Sequence, residues 1–317
     1  MKCQVFLLIV SKLMLYYNLK INKITQMKFL KILIVSIIFC QIIYSQNENK
    51  YVGLIKIKDT LMIKYRVEFD ESDGVISGFS ISDLGGEHET KSKISGFYDE
   101  EKKELSFKEV EIIYTKSPVS LDDFDFCNVH LEHSKFKLGS DKLMGDFKGK
   151  FSDGVECVNG ELVMSSVEKV AKRVSKFSKK VQKSRKIEDS IKDRLKGVKV
   201  LDTLNLNVLK KDEVTSVFTK SKLMKFYIYD GGKIDNDEVT VLQDGKIILL
   251  NYKISEKKKL LEVPVANKKT TITIIANSVG NIGTNTTVIE VVDGNNTIKT
   301  LTNLNKDEKT KIDILKH

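Results

Sequence analysis

The sequence predicts a mainly β protein in which one helix separates two antiparallel β regions. Apolar and charged residues alternate almost without fault from Leu61 to Phe69, which is typical of a strand with one buried and one solvated face. Short stretches rich in glycine and aspartate divide much of the remaining chain at turn spacing. Residues 166–199 instead carry apolar side chains at helical spacing, so we expect the only long helix there.

The N-terminus has the composition of a secretory signal. Residues 1–45 contain six lysines, no arginine and no acidic residue, and they end in the apolar run Ile32–Tyr44. A basic start and an apolar core too short to span a bilayer comfortably predict cleavage between Ser45 and Gln46. Met27 begins a complete signal peptide by itself, so we interpret it as the true start. The chain is therefore expected to be exported to the periplasm, the outer-membrane surface or the medium; the alternative is an uncleaved membrane anchor.

The cysteine count agrees with export. Two of the four cysteines lie in the predicted signal, which leaves Cys127 and Cys157 in the mature chain. An even number of cysteines in an oxidising compartment predicts a disulfide between them. A metal site that uses Cys127 with His130 and His133 is disfavoured, because strand residues three positions apart point to opposite faces.

The net charge is distributed unevenly along the chain. The whole sequence carries +10, but the chain without the predicted signal has 47 basic and 43 acidic residues, a net of +4. The net charge is −8 over residues 46–165, +9 over residues 166–199 and +3 over residues 200–317. The basic character thus belongs to one segment, and we expect no nucleic-acid partner.

The first β region, residues 46–165, is predicted to be an eight-stranded antiparallel barrel or a strongly curled meander. Turn-like stretches such as "ESDG", "GGEHE" and "DEEKKE" separate its strand candidates. Short links between consecutive strands are typical of up-and-down barrels. The candidates lie near residues 51–57, 61–69, 75–82, 91–98, 104–114, 126–138, 143–151 and 158–165.

One stretch of this region, "GFYDEEKKELSF" (Gly96–Phe107), resembles strand pairs of the calycin group, the lipocalin and avidin-like barrels. The chain departs from the lipocalin pattern because it contains no tryptophan. The resemblance implies a small-molecule pocket in the barrel mouth. The alternative is a barrel packed solid by its own side chains.

Residues 166–199 are predicted to form a basic amphipathic helix, broken near Lys186, that connects the two β regions. Ser165 and Glu168 have the spacing of a capping box, and Gly197 is a suitable stop. Two functions are open: the helix either docks on anionic lipid or lays a thin apolar stripe on a neighbouring domain. The stripe consists of Val167, Val170, Val174, Phe177 and Val181.

The second β region, residues 200–317, is predicted to be an immunoglobulin-like β-sandwich. Seven or more short strands alternate with turns such as "DGG", "QDGK" and "DGNN", as in sandwiches of about 100 residues. The region resembles a C-terminal sandwich module of secreted and envelope proteins of Bacteroidota-type bacteria. The resemblance rests on the run from Asp230 to Val239, on "DGK" at Asp244–Lys246, and on "ANSVG" and "TNTT". It implies the compartment and the fold and no activity.

The stretch "YDGGKIDNDEV" (Tyr229–Val239) is either a structural calcium site or only a hairpin turn. Calcium takes six to eight oxygen ligands, and Asp230, Asp235, Asp237 and Glu238 are the candidates. Their spacing is not that of an EF-hand, and Asp, Asn and Gly are also the residues that tight turns use. We expect no required cofactor and, at most, a structural calcium ion.

Motifs of known enzyme classes are absent: the sequence has no G-x-S-x-G, no H-E-x-x-H and no glycine-rich phosphate loop. We therefore expect a non-enzymatic binding protein for a small ligand, peptide or glycan. The first alternative is a structural or assembly component of the cell envelope. The second is a glycan hydrolase that uses a carboxylate pair such as Asp122 with Asp125 or Glu87 with Glu89.

Overall fold

The structure is a computed structural model that describes residues 49–58, 61–119, 125–184, 186–190, 192, 207–231, 236–279, 283–294 and 296–316. These residues belong to one compact unit, Glu48–His317. The predicted signal, residues 1–45, lies outside the described residues. In the described part of the chain, no helix is both long enough and apolar enough to span a membrane.

The first region is an eight-stranded closed antiparallel barrel, as the sequence predicts. Each strand pairs with the next one along the chain, and β1 pairs with β8 to close the barrel. The strands are β1 (Asn49–Ile57), β2 (Leu61–Ser72), β3 (Val75–Ser82), β4 (Thr90–Asp99), β5 (Glu104–Thr115), β6 (Asn128–Lys135), β7 (Lys142–Lys150) and β8 (Glu156–Ser166).

Side chains fill the barrel interior. Tyr65, Leu105, Leu143 and Leu162 are each 0 % exposed. The rings of Tyr51, Phe69, Tyr98 and Phe136 pack against one another, with centroids 5.6–6.4 Å apart along the chain of contacts. The interior of an eight-stranded barrel is just wide enough for such side chains. The barrel is therefore packed by its own side chains.

Two glycines permit the strong curvature of the barrel wall. A Cβ added at Gly78 or Gly96 would lie 2.0 Å from a backbone oxygen of the adjacent strand. No side chain fits at that distance, so the close approach of the neighbouring strands requires glycine. Both residues belong to "ISGF" segments, which recur in the sequence for this reason.

The predicted disulfide is present. Cys127 precedes β6 and Cys157 lies on β8, with their Cα atoms 6.0 Å apart. Strand β7 runs between β6 and β8, so the bridge passes over it at Gly149. A Cβ at Gly149 would meet the Cys127 Sγ at 2.5 Å, and the bridge can cross only because that side chain is absent.

The connecting helix α1 spans Val167–Lys183 and is shorter than the predicted segment 166–199. Its cap differs from the predicted one, because the Ser166 Oγ, and not that of Ser165, accepts the backbone N–H of Lys169. Ser165 is still the penultimate residue of β8, where extended backbone keeps it out of the helix. Lys186 lies beyond the helix end, consistent with the predicted break.

The stripe of α1 is only partly buried. Val167 and Val181 are buried, whereas Phe177 is 59 % exposed. An ion pair of 3.1 Å between Lys169 and Asp141, which precedes β7, holds the first turn of the helix to the barrel.

The described residues of the C-terminal region form ten strands, in agreement with the seven or more that the sequence indicates. They are β9 (Asn207–Leu209), β10 (Val214–Thr219), β11 (Leu223–Asp230), β12 (Asp237–Gln243), β13 (Lys246–Lys253), β14 (Lys259–Pro264), β15 (Lys269–Val279), β16 (Thr287–Asp293), β17 (Asn296–Thr302) and β18 (Lys309–Lys316). Sequence patterns did not reveal β9 or β10.

These strands form two layers around a shared core. One layer has the order β13-β12-β15-β18-β10, and the other has the order β14-β11-β16-β17-β9. Buried residues from both layers form one apolar cluster, which includes Phe226 and Val291 from one sheet and Ile274 and Ile314 from the other.

Strand β10 joins the C-terminal region to the barrel. It pairs in parallel with β18 on one side and antiparallel with β5 on the other, where Ser216 lies opposite Thr115 and Val217 opposite Tyr114. The first layer and the barrel wall therefore form one continuous 13-stranded sheet. The C-terminal core extends onto the barrel through Ile113 and Tyr114.

Candidate functional site

A cleft of about 450 Å³ lies outside the barrel, between its outer wall and the C-terminal region. Strands β2 to β5 supply one wall, and β9 and β17 supply the other. The volume is within the range of about 300–1,000 Å³ that small-molecule sites usually have. This cleft differs from the predicted site, since the predicted pocket was in the barrel mouth.

The alternation of β2 positions the polar side chains of the cleft. Tyr65 and Val67 point into the barrel, so Lys64, Arg66 and Glu68 point outward. The sequence indicates a solvated outer face, but Arg66 is only 2 % exposed. The difference arises because the C-terminal region lies over this part of the barrel wall, which a strand pattern cannot show.

The two carboxylates of the cleft already have partners in the protein. Glu68 forms an ion pair with Arg66. Glu89, which is 4 % exposed, accepts the hydroxyl of Tyr114 at 2.9 Å and the backbone N–H of Gly85 at 2.6 Å.

Burial changes the electrostatics of the cleft cations. It lowers the pKa of Arg66, although the nearby Tyr114 and Glu89 act in the opposite direction. Burial also lowers the pKa of Lys91, and the positive charge of Arg66 adds to this effect. The Lys91 Nζ lies 4.6 Å from the ring centroid of Phe79, close enough for a cation–π contact.

The described residues offer the buried amide of Asn207 no hydrogen-bond partner. Asn207 begins β9, lies opposite Thr300 on β17, and is 4 % exposed. Residues 207 and 209 share a strand face, and Leu209 is in the core, so Asn207 lies on the core side at the end of the sheet. Neither its Nδ2 nor its Oδ1 has a partner in the part of the chain that the structure describes, and the residue lines the cleft.

Sequence analysis did not identify Asn207. The short run "LNLNVL" alternates asparagine with leucine, and this alternation is the signal by which a strand with an inward-facing amide could be found.

Apolar side chains complete the cleft. Phe79 and Ile81 on β3, Leu84 after β3 and Ile298 on β17 all line it. An apolar wall with a few converging polar groups is the usual composition of a small-molecule site. The cleft can therefore hold a ligand that has both a polar and an apolar part.

A second buried polar cluster lies in the barrel wall around Glu109. One carboxylate oxygen accepts the hydroxyls of Tyr65 at 2.9 Å and Ser80 at 2.5 Å, and the other accepts the backbone N–H of Val129 at 2.7 Å. Burial raises the pKa of Glu109 even though all three hydrogen bonds lower it. The cluster is fully bonded internally and serves the packing of the barrel.

The predicted calcium ligands converge only in part. Asp235 lies outside the described residues. Asp230 and Asp237 are buried beside the segment before β16: Asp230 pairs with Thr287, and the Asp237 carboxylate accepts the backbone N–H of Thr286 at 2.8 Å. Glu238 is only partly buried. Within the described ranges, no three His, Cys, Asp or Glu side chains are grouped as a metal site would require.

The facing loop of this region uses its asparagine for structure. Asn285 is 0 % exposed, and its Nδ2 donates to the backbone oxygens of Glu238 and Ser278. Its Oδ1 accepts the hydroxyl of Thr287 at 2.8 Å. The amide thus connects the loop to β12 and β15 by itself.

The carboxylates considered for hydrolysis have different surroundings. Glu87 is exposed, whereas Glu89 is buried and hydrogen-bonded in the cleft. Asp125 accepts the hydroxyl and the backbone N–H of Ser152, and Asp122 lies outside the described residues.

The fold defines the chain as a mainly β protein with a closed eight-stranded antiparallel barrel, which is consistent with a calycin-like barrel. Comparison of the chain with protein-family models, with curated proteins and with solved structures found no match.

Proposed function

We propose that this chain is an exported, non-enzymatic binding protein that takes a small ligand in the cleft between the barrel and the C-terminal sheets. The observation that supports the proposal is the amide of Asn207, which is buried at the cleft wall and has no hydrogen-bond partner among the described residues. Burying a polar group without a partner costs about 1–3 kcal/mol. A ligand that pairs with this amide offsets that cost, and folding alone gives no reason to keep it.

Substitution Asn207→Leu tests this proposal, because leucine is close to asparagine in size and has no polar atoms. The variant should unfold at the same temperature as the wild type or higher, since it removes a buried unpaired group. It should also lose the ligand-induced rise in melting temperature found with a panel of metabolites, short peptides and oligosaccharides. Asn303→Leu, at an exposed position after β17, is the matched control.

Two results would contradict the proposal. One is a marked loss of stability in Asn207→Leu without ligand, which would make the amide structural. The other is a panel in which no compound stabilises the wild-type chain, or in which ligands stabilise Asn207→Leu equally.

Export is part of the same proposal and is supported by the composition of residues 1–45 and by the Cys127–Cys157 disulfide. We also propose that the C-terminal region is an immunoglobulin-like sandwich, related to the modules of Bacteroidota-type bacteria that it resembles. N-terminal sequencing of the mature protein should begin at Gln46, whereas an N-terminus within the first 45 residues would support a retained anchor.

An envelope assembly role is the second candidate function, and the edge strand β13 favours it. Ile247, Ile248 and Leu250 are 57 %, 37 % and 63 % exposed on this strand, which ends the 13-stranded sheet. Exposed apolar edges can accept an additional strand from a partner. Lys246 and Lys253 end β13 and would oppose each other in an antiparallel pair of two copies. An extended apolar segment with acidic ends, from another envelope protein, is the fitting partner.

Synthetic peptides can test this second function. An apolar octapeptide with aspartate at both ends should bind the chain, and Leu250→Lys should abolish binding. The same peptide with terminal lysines is the control, and equal binding of both peptides would exclude recognition by charge.

Contact of α1 with anionic lipid is a further proposal. It is supported by the basic residues on the helix and by the exposed Phe177. Co-sedimentation with vesicles of phosphatidylglycerol should exceed that with phosphatidylcholine; equal recovery would leave α1 as a connector.

A further inference from the structure

The cleft has an excess of positive charge. Lys64, Arg66, Lys91 and Lys299 line it together with only two carboxylates, Glu68 and Glu89. Because the cleft lies between two β regions, part of this charge is shielded from solvent and is screened less than surface charge.

The carboxylates do not neutralise all of this charge. Glu68 is paired with Arg66, and Glu89 accepts a tyrosine hydroxyl and a backbone N–H. In the described part of the chain, Lys91 forms no ion pair; its ammonium lies over the ring of Phe79. Its neighbour on the same face of β4, Lys93, is instead paired with Glu111 at 2.7 Å.

The cations of the cleft repel each other. The charge of Arg66 lowers the pKa of Lys91, in addition to the effect of burial. A negatively charged group between them would relieve the repulsion and favour the charged form of Lys91, as Glu89 already does.

Apolar side chains lie beside the cations on both walls of the same space; Ile81 on β3 lies between Arg66 on β2 and Lys91 on β4. Phe79, Ile81 and Leu84 line it and are only partly buried, whereas Ile298 already belongs to the C-terminal core. A ligand that placed only an inorganic ion here would leave this surface uncovered, whereas a ligand with an apolar body would bury it.

We infer that the cleft takes a small organic anion, with a carboxylate or phosphate head recognised by Lys91 and Arg66, and an apolar body on Phe79, Ile81 and Leu84. The inference rests on the proposed binding function and adds the chemical class of the ligand. The Asn207 amide then donates to or accepts from a neutral polar group of the same ligand.

Three matched probes test the inference on the full mature chain: 4-phenylbutyrate, 4-phenylbutyl phosphate and the neutral 4-phenylbutanamide. We expect both anions to bind in calorimetric titrations and the amide to bind at least about tenfold more weakly, as loss of a charge-assisted contact implies. The tighter of the two anions identifies the head group.

Substitution Lys91→Met removes the charge and keeps most of the side-chain length. It should weaken anion binding by about tenfold or more and leave amide binding unchanged. Lys93→Met is the matched control, because it removes a cation from the same face of β4 outside the cleft, and it should leave both unchanged.

Equal affinity for the amide and the anions overturns the inference, as does unchanged anion affinity in Lys91→Met. Failure of all three probes to bind at millimolar concentration also overturns it. The proposed binding function is tested separately by the Asn207→Leu melting temperature and by the wider ligand panel. It can stand on neutral ligands alone, and it fails when either of those two measurements fails.

Discussion

At the scale of single residues, Glu109 is a carboxyl group whose surroundings oppose its ionisation. Burial raises its pKa above the ordinary value of 4.5, against three hydrogen bonds that favour the charged form. The folded state therefore holds this proton more tightly than the unfolded chain does. Stability from this group is fully present below the unfolded pKa and is lost as the pH rises through the folded pKa.

Substitution Glu109→Gln should remove this pH dependence. The glutamine amide can accept from Val129 N–H while it donates to the hydroxyls of Tyr65 and Ser80, so the site remains bonded. We expect the melting temperature of the wild type to fall relative to that of the variant as the pH rises above about 4.5. Melts at intervals between pH 4 and pH 8 measure this difference, and parallel curves for the two proteins would contradict the prediction.

A second prediction at the scale of single residues concerns the stability of a variant at Gly149. An added Cβ would lie 2.5 Å from the Cys127 Sγ and 2.6 Å from the Val158 backbone oxygen. Gly149→Ala should therefore destabilise the oxidised protein by about 1–3 kcal/mol, the usual cost of overpacking. Denaturant titration measures the loss, and Lys148→Ala on the same strand should cost less. A Gly149→Ala variant as stable as the wild type would show that the bridge can shift at no cost.

At the scale of the elements, strand periodicity is a stronger signal than helix capping. All eight barrel strands lie where turns and alternation place them, because side chains on opposite faces of a strand meet opposite environments. The cap of α1 is displaced by one residue from its predicted position. Both Ser165 and Ser166 are good caps by type, and the length of β8 decides which of them leaves the strand first.

The two serines provide a paired test. Ser166→Ala should lower stability by about 1 kcal/mol, because the Lys169 N–H loses its acceptor, whereas Ser165→Ala should have little effect. Denaturation followed by circular dichroism measures both variants in parallel. Equal effects would indicate that the hydrogen bond from Lys169 N–H to Ser166 does not contribute to stability. A larger effect of Ser165→Ala would favour the capping box of Ser165 and Glu168 that the sequence predicts.

At the scale of the whole molecule, calcium is best tested by its effect on global stability. A ligand that binds only the folded state at about one hundred times its dissociation constant stabilises it by roughly 2.7 kcal/mol. We expect millimolar calcium to raise the melting temperature of the chain by several degrees over that in EDTA if the run Tyr229–Val239 holds an ion. Asp235→Ala should abolish the rise and the exposed Asp70→Ala should keep it. The run is not a β-hairpin turn, because β11 and β12, which flank it, belong to different sheets. Identical melts would leave it as a connection between the two sheets that holds no ion.

The two β regions are joined by β10, a strand that sequence analysis did not identify. β10 has six residues, and although its Val, Phe and Thr residues favour strands, nothing in this short stretch shows which strands it would pair with. It is a strand because β18 and β5 offer hydrogen-bonding edges on both sides. Those edges are more than 90 residues away from it in the chain, so local propensity cannot predict the pairing.

The sequence by itself determined the β class, the eight-stranded barrel, the disulfide and the position of the helix. These properties depend on the period of apolar residues, on turn residues and on the pairing of two cysteines, all of which are local or countable. Only the tertiary structure decided that the barrel is packed and that the cleft lies on its outer wall. Arg66 and Lys91 stand at positions where alternation predicts solvent, and the alternation around Asn207 does not show that β9 lies beside a cleft. They come together because β10 brings the C-terminal sheets against the barrel. A contact between segments that are distant in the chain does not change the hydrophobic periodicity of either segment, so sequence patterns do not reveal it.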